Sequence, residues 1–198
     1  FARRIARQFG VGLTPEEVVS IGIGPLNDVN STKCMRKPKR FFTEERLELT
    51  LDGVEVVLAA APGETDDQIF VWLPQWRILC CGDNYYASWP NLYAIRGGQY
   101  RDVDSWANVL EAMQALDAEI VLPGHTEPII GKEQVRQTLG NYHDAIAYVL
   151  EETLKGMNAG KSADELAAEI TLPETWRELP YLQEYYGTVS GAVRSIVG

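Results

Sequence analysis

The sequence predicts a layered α/β fold that gives way to helices in its last third. Three observations carry this. Apolar residues recur with a period of two from residue 46 and at spacings of three and four after residue 103. Two nearly continuous apolar runs, Ile69–Leu73 and Ile78–Cys81, read as strands covered on both faces. From residue 132 onward only helical patterning remains. The 198 residues, 45% apolar and 23% charged, suit one domain or a domain with an appendage, and exclude a disordered or collagen-like chain.

Residues 2–9 are short and basic, the end of a helix. Thr14-Pro15-Glu16-Glu17 opens another, with Thr as cap, Pro in the first turn and acids near the positive end of the dipole. Residues 21–43 read as irregular. Leu47, Leu49 and Leu51 then alternate with polar neighbours, and Asp52-Gly53 is a hairpin turn into Val54, Val56 and Leu58. Pro62-Gly63 ends that strand. Pro74–Arg77 turns between the two apolar runs. Val103, Trp106, Leu110, Met113 and Leu116 form one helical stripe over 103–116, and a short strand follows at 119–122. A long helix covers roughly 132–156, with Val135, Leu139, Tyr142, Ile146, Val149 and Leu150 on one face. Ser162-Ala163-Asp164-Glu165 resembles a capping box for a helix to about Ile170, and a last helix lies around 188–197.

The net charge is −10, opposite to what a nucleic-acid binder carries, so no nucleic-acid partner is expected. The charge is uneven. Residues 1–50 hold nine basic and six acidic side chains, and residues 51–198 hold nine and 22. The basic run Lys33, Arg36, Lys37, Lys39, Arg40 reads as a solvated loop or as an approach path for an anion. No stretch approaches the length of a membrane span. Cys34, Cys80 and Cys81, odd in number, form no disulfide framework, and the adjacent pair reads as strand packing.

Three segments follow strands and carry potential ligands: Pro62-Gly63-Glu64-Thr65-Asp66-Asp67, Gly82-Asp83-Asn84 and Pro123-Gly124-His125-Thr126. Active sites of layered α/β proteins gather at strand ends. Carboxylates can bridge two metal ions, and an imidazole can complete a zinc shell.

These segments, with Asn91-Leu92-Tyr93-Ala94-Ile95-Arg96-Gly97, Arg101-Asp102, Gly124-His125-Thr126-Glu127-Pro128-Ile129 and Tyr185-Tyr186-Gly187-Thr188-Val189, resemble the alkylsulfatases of the metallo-β-lactamase superfamily over nearly the whole chain. The resemblance implies part of an αββα sandwich over residues 1–131 and a helical dimerisation region over 132–198. It implies hydrolysis of alkyl sulfate esters to alcohol and sulfate at a two-zinc site, in a homodimer. By it, Glu64, Asp83 and His125 are metal ligands, with Asp83 bridging, and Asn91 and Arg96 hold the sulfate. An Arg fork suits an oxyanion.

The superfamily's His-x-His-x-Asp-His motif has no counterpart here, where His125 and His143 are the two histidines. The chain therefore reads as the C-terminal part of a longer protein, active with an upstream segment that carries the other ligands. The alternatives are a non-catalytic assembly module and a hydrolase of the same fold acting on phosphoesters or lactams. The stretch Asn84–Pro90 holds no histidine for a proton donor. Tyr85, Tyr86 or Ser88 could orient water, and the aromatics could line an alkyl pocket. Asp66 and Asp67 read as loop residues or partners to ligands, His143 as a helix-face histidine, and the five tryptophans as core.

Overall fold

A computed structural model of the chain describes Thr14, Glu16, residues 41–93 and residues 100–198. The expectations for residues 2–9, for the helix opening at Thr14, for the basic run, Cys34 and Arg96, and for nearly all of 21–43 fall outside these residues. Glu44–Tyr93 and Tyr100–Gly198 form one compact unit.

Its centre is a sheet of six strands in sequence order: β1 (Arg46–Leu51), β2 (Val54–Ala60), β3 (Ile69–Leu73), β4 (Ile78–Gly82), β5 (Ile120–Pro123) and β6 (Ile129–Ile130). All neighbours are antiparallel except β4 and β5, which are parallel. Asp52 and Gly53 join β1 to β2 with φ of 49° and 81°, the two left-handed residues of a type I′ turn. The parallel pair needs a crossover, and α1 (Val103–Ala115) supplies it. Asp102 caps α1 by accepting from the backbone N–H groups of Asp104 and Ser105.

Register separates the two faces of the sheet. Val57, Trp72, Leu79, Val121 and Ile129 pair across five strands in one row, and every one is buried. They join the core with Trp106, Leu110 and Met113 of α1 and with Leu139, Tyr142 and Ile146 of α2 (Lys132–Asn158). The opposite row, Leu47, Leu58, Val71, Cys80 and Leu122, is equally apolar but half-buried to exposed. A sheet apolar on both faces is one made to lie between two layers. One such layer, α1 and α2, packs on it among the described residues. The expectation of strands covered on both faces is thus met on one face.

The last third is helical, with α3 (Ala163–Glu169), α4 (Glu174–Arg177) and α5 (Val189–Val197) after α2. Ser162 and Glu165 form the expected capping box. Leu166 of α3 and Val189, Ala192 and Val193 of α5 are buried in the same core as α2. Two short elements escape the periodicity, β6 and α4. Of the tryptophans, Trp72, Trp89 and Trp106 are core residues, Trp176 is half-buried edge-on to Tyr148, and Trp76 is 52% exposed at the β3–β4 turn, contrary to the core reading. Cys80 and Cys81 are free and lie in β4 as expected, and burial pushes the Cys81 thiol up to about 12.

Candidate active site

Strand direction brings the three ligand-bearing loops to one edge. Two antiparallel steps make β2 run in the same sense as β4, and β5 is parallel to β4, so all three finish on the same side. Gly82 stands opposite Pro123 in the parallel ladder, and Gly124 N–H donates to the Gly82 carbonyl at 2.8 Å. Asp83 and His125 are therefore neighbours although 42 residues apart. His125 Nδ1 lies 2.8 Å from Asp83 Oδ1. A Cβ on Gly124 would come within 2.5 Å of that same oxygen, so only glycine lets the Asp83 carboxylate sit there.

Glu64, on the loop after β2, reaches the same point. Its carboxyl lies close enough to Asp83 for that neighbour to raise its pKa, and it forms a 3.0 Å ion pair with Arg101. Burial is the first cause of its raised pKa, followed by Asp83, while Arg101 opposes the rise. The His125 pKa is also raised, through its hydrogen bond and attraction to the Asp83 carboxylate. Two carboxyl groups, an imidazole and a guanidinium thus form one chain of contacts.

Asn91 is buried, and its backbone ties it to the same cluster. Its N–H donates to Tyr86 Oη at 2.7 Å, and its carbonyl accepts from Arg101. Its side-chain Oδ1 is buried with no partner among the described residues. Arg96, expected beside it, lies outside those residues. Of the three candidates for orienting water, Tyr85 is buried edge-on to Tyr142 at 5.0 Å and Ser88 Oγ donates to the Gln183 carbonyl, so both serve packing. Tyr86 borders the site, and burial holds its phenol at about 12. Asp66 and Asp67 are exposed turn residues. His143 pairs with Asp144 on α2, as a helix-face histidine does.

Two participants stand inside the family-like segments of the sequence but receive no role there. Arg101 stands just before the α1 cap and bridges the Glu64 carboxylate to the Asn91 backbone. Asn84 is fully buried. Its Nδ2 donates to the Ala61 carbonyl at 2.7 Å and its Oδ1 accepts from the Glu64 N–H at 3.3 Å. Its own carbonyl accepts from Trp106 Nε1 at 2.9 Å, which ties α1 to the end of β4. Both act across long sequence separations or at a helix entrance, where local pattern says nothing.

No protein-family model matches the chain. It is 34% identical to a linear primary-alkylsulfatase of Pseudomonas sp. over 98% of its own length and 37% of that protein's. It is 28% identical to an alkyl/aryl-sulfatase of Saccharomyces cerevisiae and 29% identical to an (R)-specific secondary-alkylsulfatase of Pseudomonas sp., again over 98% of this chain and 31% and 30% of those. The chain thus spans about a third of the length of the curated relatives it matches. Its structure superposes on the stereoselective inverting sec-alkylsulfatase Pisa1 of Pseudomonas sp. with a TM-score of 0.84 at 28% identity, over 98% of this chain and 32% of that one. A metallo-β-lactamase family protein of Thermus thermophilus shares the fold, with a TM-score of 0.51 at 19% identity over 78% of this chain and 46% of its own. Over nearly its whole length, then, the chain is similar in sequence and structure to about a third of each of these alkylsulfatases, and it has a metallo-β-lactamase-like α/β fold.

Proposed function

We propose that this chain is the part of a metal-dependent alkylsulfatase that supplies Glu64, Asp83 and His125 as metal ligands and Asn91 and Arg96 as sulfate-holding groups. The observation that carries the proposal is the meeting of Glu64, Asp83 and His125 at one sheet edge in a chain homologous to alkylsulfatases.

The donor set fits a divalent ion. Carboxylate oxygens and an imidazole nitrogen are ordinary zinc ligands, and Glu64 with Asp83 brings two anionic groups into one partly buried place, where a cation would relieve their mutual repulsion. Among the described residues, no group of three such side chains is set to hold an ion by itself. The proposed two-zinc site therefore takes further ligands from the rest of the protein. When bound, zinc supplies Lewis acidity toward an ester oxygen and lowers the pKa of water. The chain's own residues do the rest. Asp83 holds the His125 ring at the sheet edge through Nδ1. Arg101 offsets the Glu64 charge and pins the Asn91 segment beside it. Arg96 and Asn91 offer donors to the sulfate oxygens, where charge grows as the ester breaks.

A boundary near residue 131 and a homodimer through residues 132–198 belong to the same proposal. Leu154 and Met157, exposed near the end of α2, are apolar surface available to a partner copy. The test is hydrolysis by the full-length protein supplied with zinc, on the sulfate and phosphate esters of one alcohol. Release of alcohol from the sulfate ester at the higher kcat/KM is the expected result. No release from the sulfate ester with zinc present would defeat the proposal, and faster release from the phosphate ester would reassign the substrate.

A further inference from the structure

We propose that Asn84 is a positioning residue that sets the Glu64 carboxyl against Asp83 by clipping the loop after β2 onto the end of β4. This rests on the reading of Glu64 and Asp83 as metal ligands. The clip is double. The side-chain amide donates to the Ala61 carbonyl and accepts from the Glu64 N–H, so it spans the loop from before Pro62 to the ligand itself. These two partners, one an acceptor and one a donor, fix which end of the amide is oxygen. The side chain is wholly buried, and its backbone is anchored on both sides: Asn84 N–H donates to the Cys81 carbonyl at 3.3 Å, and Trp106 Nε1 donates to the Asn84 carbonyl. The residue that holds the Glu64 backbone thus follows directly on Asp83, the neighbouring carboxylate. Gly63 completes the fit, because a Cβ there would come within 2.3 Å of Asn84 Oδ1.

No shorter or singly functional side chain can do this. Aspartate keeps the volume and the acceptor but turns a second oxygen toward the Ala61 carbonyl, where lone pairs oppose each other. Asn84→Asp should therefore push the loop away. Gly63→Ala should displace it from the other side with Asn84 intact. The two variants attack one contact from opposite partners and should share one signature.

The first readout needs no metal. Amide hydrogen exchange in the chain is expected to rise about tenfold or more at Glu64 in both variants, with protection in β3, β4 and α1 kept. Unchanged exchange at Glu64 would overturn the clip. Loss of protection spread evenly over the sheet in both variants would make Asn84 an ordinary core residue and overturn it equally. The second readout is zinc affinity of the full-length protein by competition with a chelator, expected to weaken about 10–100-fold in both variants, the usual effect of removing a ligand's outer support. Equal zinc affinity in parent and variants, with exchange at Glu64 raised, would overturn the positioning role. If the full-length parent binds no zinc while Glu64 exchange responds as expected, the clip on Glu64 stands and the metal reading of this chain falls.

Discussion

At the scale of single residues, charges are placed where the backbone leaves a need. Asp117 sits in the left-handed region, with φ of 56°, at the end of the α1–β5 turn. Its carboxylate accepts from Lys132, the first residue of α2, and from Arg77. The Lys132 hydrogen bond, then that of Arg77, lowers its pKa from the ordinary 3.8. A lowered folded pKa means stability that is present above the unfolded value and lost as pH falls through the folded one. Asn tolerates the left-handed backbone but cannot carry the charge. Asp117→Asn is therefore expected to lower the urea midpoint slightly at neutral pH and to flatten its fall below about pH 4, as midpoints taken along a pH series would show. The site's residues were unequally legible. Glu64, Asp83 and His125 stand at strand ends in a pattern that resembles a known family. Arg101 works through a partner 37 positions away, and Asn84 through partners 20 and 23 positions away, so only the folded chain reveals their roles.

At the scale of elements, helices were the most legible because their start signals are local. Ser162 accepts from the Glu165 N–H, and the Glu165 carboxylate takes the Ser162 N–H at 2.8 Å, all within one helical turn. Ser162→Ala should cost about 1 kcal/mol, read as a lower melting temperature with the fold intact. The hairpin at Asp52-Gly53 and the long α2 stripe were legible for the same reason. The two residues of β6 and the four of α4 were not, since periodicity cannot register in so few positions. The β6 strand exists because β5 offers it an edge, which is a tertiary cause.

At the scale of the whole molecule, one sheet carries two apolar faces with unequal cover. Leu79 is fully buried under α1 and α2, while Val71, on the neighbouring strand and the other face, is half-buried. Leu79→Ala is expected to cost about 2–5 kcal/mol in this chain, and Val71→Ala clearly less, below about 1.5 kcal/mol, by chemical denaturation. Near-equal costs would mean that a further layer covers the second face. The sequence showed that both faces are apolar but not which of them this chain covers, because strand composition records burial without naming the partner layer. The same holds for the site. Convergence of three loops follows from strand direction, which the order of apolar runs implied but the register had to establish.

The account turns on Glu64, Asp83 and His125 forming the chain's share of a metal site, and Asp83 stands between the other two. Zinc per full-length protein, by elemental analysis of the parent and of Asp83→Ala, tests this most directly. The expected result is about two zinc ions per parent chain, as a two-zinc site requires, and loss of both in a variant that still folds. A parent free of zinc, or an Asp83→Ala variant that keeps its full complement, would contradict it.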